Sequence, residues 1–138
     1  MISFMFYFLF IPQLSGWELL SDVEIEKGYD EFMGTEVDQP KFSAYLLSQE
    51  GKELMLEGFI IPLEQEGASD YFILSRFPYQ SCFFCGGAGP ETVIEVYSDR
   101  EVSYTEERVR VRGILELNKG NPLQLFYLIK DCAVERLD

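Results

Sequence analysis

Two of the three cysteines lie two residues apart in Ser81-Cys82-Phe83-Phe84-Cys85-Gly86-Gly87-Ala88-Gly89-Pro90, a glycine-rich turn between apolar segments. Two thiolates at this spacing can bind one metal ion or oxidise to each other. A glycine directly after the second cysteine allows positive φ, so the backbone can fold around a sulfur-bound ion. Cys82 and Cys85 are therefore the primary candidate ligands for zinc or another thiolate-bound metal. The pair is half of a tetrahedral site. Glu91, Cys132 and Asp131 are the candidates to complete it, with Cys132 and Glu91 the weaker members of the proposed set.

The chain has no histidine. That excludes Ser-His-Asp and Cys-His nucleophile activation and every zinc site that needs imidazole. Three readings of the pair stay open: a metal site, a structural disulfide in an oxidising compartment, and inert thiols. A fourth, a thiol–disulfide oxidoreductase, meets an obstacle. Reactive pairs of that type sit at a helix N-terminus that lowers the thiol pKa, whereas glycines, a proline and the strand signal T-V-I-E-V-Y follow this one. Cys132 lies in the apolar run L-I-K-D-C-A-V and reads first as a small core residue. The aromatics Phe72, Phe77, Tyr79, Phe83 and Phe84 surround the loop and are expected to pack there or to shield it from water. Paired carboxylates (Glu64 and Glu66, Glu106 and Glu107) fall in turns or on exposed faces and read as solvated charge rather than acid/base catalysts. No catalytic set is legible.

The elements that must position the loop read as strands. The segments 53–62, 71–76, 92–97, 109–117 and 123–134 are β-rich, with Gly58 and Gly113 marking bends in the first and fourth. Asn118-Lys119-Gly120-Asn121-Pro122 is turn chemistry. A proline followed by Phe42, Tyr45 and Leu46 at helical spacing, stopped by Gly51, predicts one short helix over Pro40–Gln49. The acidic stretch Trp17–Gln39 lacks a sustained period and is expected to wrap the surface as turns and short extended pieces. Together these predict a mainly β fold, a small five-stranded OB-like antiparallel barrel with one short N-terminal helix.

The 138 residues suffice for one core, and 24 acids against 11 bases give a net charge of −13. Such a polyanion disfavours nucleic acid and anionic lipid surfaces. Met1–Leu14 is apolar and too short for a membrane-spanning helix, which needs about 20 residues. With Ser15-Gly16 it suits a secretory signal peptide lacking its positive start, cleaved near Gly16–Trp17. The expected organisation is a signal peptide over 1–16 and a single β-barrel domain over 17–138, exported to the periplasm or beyond, with no stable membrane span in the mature chain.

The order of these segments resembles an uncharacterised bacterial family of exported proteins and lipoproteins, a domain-of-unknown-function family. The resemblance runs from a Trp-x-x-Leu start through Gly58-Phe59-Ile60-Ile61-Pro62-Leu63 to the Cys82–Pro90 loop. It implies an OB-like barrel, export, and a transporter or envelope protein as partner. Many members of that family carry a histidine between the cysteines. Here Phe83 and Phe84 stand between them.

Overall fold

The computed structural model describes residues 16–62, 67–78 and 88–137. Five strands, β3 (Glu53–Ile61), β4 (Ala68–Ser75), β5 (Val93–Ser103), β6 (Val109–Leu117) and β7 (Tyr127–Arg136), close a barrel in the order β3-β4-β5-β7-β6. Four seams are antiparallel. The fifth, β5 with β7, is parallel, so the expected all-antiparallel pairing is corrected at that seam. The cause is topological: β7 inserts between β5 and β6, pairing antiparallel with β6 and hence parallel with β5.

Alternation along the strands builds the core. In β6, Val109, Val111, Leu115 and Leu117 point inward, where they share one core with Leu54, Leu56, Ile60, Phe72, Leu74, Ile94, Val96 and Ile129. A second, smaller cluster lies on the outer face of the β3–β4–β5 sheet, where Ile61, Ile73 and Val93 pack with Tyr71 and Leu125.

Both predicted glycine bends are present. β3 changes partner at Gly58, with residues 53–58 paired to β6 and 59–61 to β4. A Cβ at Gly58 would stand 2.4 Å from the Ser75 carbonyl oxygen, so only hydrogen allows the two backbones to approach. At Gly113 the β6–β7 register slips by a bulge.

The N-terminal part differs from expectation. In place of a wrapping coil it forms a helix, α1 (Gly16–Leu20), and a long hairpin of β1 (Val23–Asp30) with β2 (Thr35–Phe42). Helix α2 spans Ala44–Gln49, not Pro40–Gln49, because Ser43 is its N-cap and accepts the Leu46 amide at 3.1 Å. Pro40 and Phe42 belong to β2, a strand free on its outer edge among the described residues, where proline removes no ladder bond.

The other boundaries also move. β4 begins at Ala68, β5 continues to Ser103, and β7 starts only at Tyr127 after a turn through Leu123. Helix α1 is docked by Trp17, whose Nε1–H donates to the Glu57 carbonyl at 2.7 Å, and by Leu20, whose carbonyl accepts the buried Tyr127 hydroxyl at 2.5 Å.

Candidate functional site

Cys82 and Cys85, with Tyr79, Phe83, Phe84, Gly86 and Gly87, lie outside the described residues. What the structure fixes is the mounting of their loop. It is the β4–β5 connection, and its feet are Ser75, paired with Val93, and Arg76, whose amide donates to the Thr92 carbonyl at 2.9 Å. On the β5 side Pro90–Thr92 forms one 3-10 turn, in which the Thr92 amide (3.1 Å) and hydroxyl (2.6 Å) both donate to the Gly89 carbonyl. The neighbouring Phe77 amide donates to Ser75 Oγ at 3.2 Å.

Glu91 sits in that turn, partly buried, with its carboxylate folded back against Gly89. A Cβ added there would be 2.3 Å from Glu91 Oε2. Cys132 is a core side chain, 1% exposed. Its thiol donates to the Ile129 carbonyl at 3.3 Å, and burial pushes its pKa up to about 12, far from thiolate at neutral pH.

On β7, Cys132 lies level with Ser98, whereas Glu91 precedes the start of β5. Five extended residues from Val93 to Ser98 cover roughly 16 Å. Two ligands of one zinc ion each hold it within about 2.3 Å. The structure therefore does not bring Glu91 and Cys132 together. Asp131 is exposed on β7 at φ +54, beside the Gly113 bulge. Among the described residues no three of His, Cys, Asp and Glu gather as a metal group.

The aromatic expectation divides. Phe72 is turned into the barrel core and does not surround the loop, because its strand position faces inward opposite Val96. Phe77 is exposed at the loop foot, with the Arg76 guanidinium 5.6 Å from its ring centroid. Glu106 and Glu107 are exposed, as expected for solvated charge.

Beside the loop foot lies a groove of about 390 Å³. Asp30, Asp38 and Pro40 of the hairpin line one side, Asn118–Pro122 and Gln124–Phe126 the other, and Pro90 also borders it. That far wall is rigidly built. Asn118 Nδ2 donates to the carbonyls of Asn121 (2.7 Å), Gln124 (3.1 Å) and Leu125 (3.0 Å), while its Oδ1 accepts the amides of Gly120 and Asn121.

Glu95, 4% exposed, holds the same wall from the barrel side. It accepts the Leu125 amide at 2.9 Å and the Tyr71 hydroxyl at 2.5 Å. Desolvation, and then the hydrogen bond to Glu95, raise the Tyr71 pKa above its ordinary range, so the phenol stays a donor. Tyr97 stacks obliquely on Tyr71 with centroids 5.1 Å apart, and Lys130 Nζ lies 5.6 Å from the Tyr97 centroid. Glu95 was not among the residues singled out from sequence. Its signal was present as the lone charge inside V-I-E-V-Y, a run that otherwise reads as buried strand.

A second depression opens at the far end, where β5 and β7 diverge beyond Ser98 and Cys132. Asp99, Arg100, Glu101 and Arg136 line it with both signs of charge, which selects neither anion nor cation.

No protein-family model and no curated protein matches the chain. Among solved structures, that of a DUF3299 family protein from Pseudomonas aeruginosa PAO1 is similar, with a TM-score of 0.55 and 20% sequence identity, covering 72% of this chain and 68% of that one. At this identity the likeness is one of fold. The neighbour belongs to a family of unknown function, the kind of family that the sequence resembles.

Proposed function

We propose that this chain is an exported, non-catalytic binding module that holds a metal ion or a partner protein at the Cys82–Cys85 loop. The observation that carries the reading is the mounting of that loop. Both feet are hydrogen-bonded onto one end of a closed barrel, next to a groove whose far wall is internally braced. A loop so mounted is tethered at both ends to a rigid element. Export is supported by the apolar Met1–Leu14 segment, and an envelope or transporter protein as partner by the family resemblance. A mature chain beginning at Trp17 would retain the indole bond to Glu57 that docks α1.

The test is to purify the exported chain anaerobically and measure metal content, free thiols and the N-terminal residue. About one zinc per chain, lost in Cys82→Ser, is the expected result. No metal and a single free thiol would replace this reading with that of an accessory protein stapled by a Cys82–Cys85 disulfide. Fast thiol–disulfide exchange would replace it with an oxidoreductase.

A further inference from the structure

The β1–β2 hairpin stands on the barrel as an arm. Its eight residue pairs run from Val23↔Phe42 to Asp30↔Thr35, a length of roughly 26 Å. An isolated two-stranded hairpin is marginal in water, so an arm of this length needs fixing at its ends. It has that fixing. At the base, the Ser43 amide donates to the Asp22 carbonyl at 3.4 Å and Ser43 Oγ to Asp22 Oδ2 at 2.5 Å, between helices anchored by fully buried Leu20 and Leu46. At the tip, the Gly34 amide donates to the Asp30 carbonyl (2.8 Å) and the Met33 amide to Asp30 Oδ1 (2.8 Å). Gly34 takes the left-handed φ of +68 that this turn requires.

This defined tip is apolar. Tyr29 is 66% exposed, Phe32 75% and Met33 46%, three large side chains within five residues. Scattered exposed apolar residues are ordinary, but a cluster on a pre-ordered turn has the form of an interface anchor. The charges around it have one sign. Both lysines of the arm are occupied, Lys27 with Asp38 and Lys41 with Glu24 and Glu26. Asp30, Glu31 and Glu36, which flank the aromatics, have no ion-pair partner among the described residues.

We propose that the arm tip docks into a protein partner that offers an apolar pocket rimmed by lysine or arginine. Phe32 and Met33 enter the pocket, and Glu31 and Glu36 meet the basic rim. Charge selects this occupant. A second copy of the chain brings another −13, and an anionic membrane repels the same carboxylates. Strand addition along the arm is disfavoured as well, since Pro40 lacks an amide hydrogen and charged residues line both strands. The test of this surface does not involve the thiols or a metal.

The test is selection of a random peptide library on the immobilised full chain, followed by fluorescence anisotropy with the enriched peptides. The expected peptides combine Lys or Arg with Leu, Ile, Phe or Met. Phe32→Ser should weaken them about tenfold or more, and Glu31→Lys with Glu36→Lys should do the same. Binding should also fall as salt rises from about 50 to about 300 mM. Both variants alter exposed positions at the hairpin tip, and unchanged thermal melting confirms that they remain folded.

Several results would overturn the proposal: no enrichment, peptides lacking basic residues, or binding indifferent to Phe32. Phe32-dependent dimerisation in sedimentation would assign the tip to a second copy. Phe32-dependent binding to phosphatidylcholine vesicles without peptide binding would assign it to a membrane.

Discussion

Glu95 offers the sharpest test of how the groove wall is held. Its carboxylate is almost fully buried and has two donors, the Tyr71 hydroxyl and the Leu125 amide. Hydrogen bonds to a buried charged acceptor contribute about 1.5–3 kcal/mol. We predict that Tyr71→Phe costs about 2 kcal/mol, because the carboxylate keeps only one donor. Glu95→Leu leaves the phenol and the Leu125 amide without their acceptor and is expected to cost about 2–4 kcal/mol. In the Glu95→Leu background the Tyr71 hydroxyl has lost its acceptor, so adding Tyr71→Phe should cost close to nothing or restore a few tenths of a kcal/mol.

Urea denaturation reads all four proteins through Trp17, the single tryptophan, which is buried in the native state. A loss of 2 kcal/mol corresponds to a melting shift of roughly 6–10 °C for a chain of this size. Hydrogen exchange adds a local readout: the Leu125 amide should lose protection in Glu95→Leu and keep it in Tyr71→Phe. An equal cost of Tyr71→Phe in both backgrounds, within about 0.5 kcal/mol, would refute the coupling. An unchanged Leu125 exchange rate would refute the bracing role.

Alkaline stability should report Cys132. Its folded pKa of about 12 stands above an ordinary 9.0, so above pH 9 the unfolded chain releases a proton that the native chain keeps, and stability falls as pH rises from about 9 toward 12. The slope approaches about 1.4 kcal/mol per pH unit. Cys132→Ala should make the urea midpoint fall less steeply between pH 9 and 10, with the likewise raised Tyr71, Tyr97 and Tyr127 supplying the slope that remains, and an identical slope in the variant would refute the assignment. Gly58→Ala should cost about 1–3 kcal/mol or more, since the new methyl meets the Ser75 carbonyl oxygen at 2.4 Å and backbone must shift. A melting temperature within 2 °C of wild type, a margin of about half a kcal/mol, would show that the strands can separate there at little cost. Trp17→Phe removes the indole bond to Glu57 and should lower stability by about 1 kcal/mol, measured by calorimetry. No loss would mean that the bond adds nothing net to the docking of α1.

The barrel was legible where one face of a strand is buried and the other wet. V-R-V-R-G-I-L-E-L shows that alternation, and β6 lies at the expected residues 109–117. Gly58 and Gly113 were legible because a glycine inside an apolar strand has few other uses. The hairpin was not legible because its strands pack mainly on each other. Exposed on both faces, the sequence VEIEKGYD has no buried stripe to impose a period. Phe42, Tyr45 and Leu46 mimicked helical spacing, yet only Leu46 is buried in α2, and the stronger boundary signal was the capping Ser43. The parallel seam was hidden because strand order depends on contacts between distant segments and leaves no local mark. The cysteine pair drew attention by its spacing. The Glu95 brace and the groove wall come from elements that meet only after folding.

The place of β7 bears on when this domain can fold. It is the last of the five strands in sequence, yet it fills a gap between two earlier ones, β5 and β6. Until Tyr127–Arg136 has left the ribosome, β5 and β6 each lack a neighbour and the barrel cannot close. Pairings of such long sequence separation also form slowly. The barrel therefore stays open until β7 is made, and the inward side chains of β5 and β6 wait for Tyr127 and Ile129 to cover them.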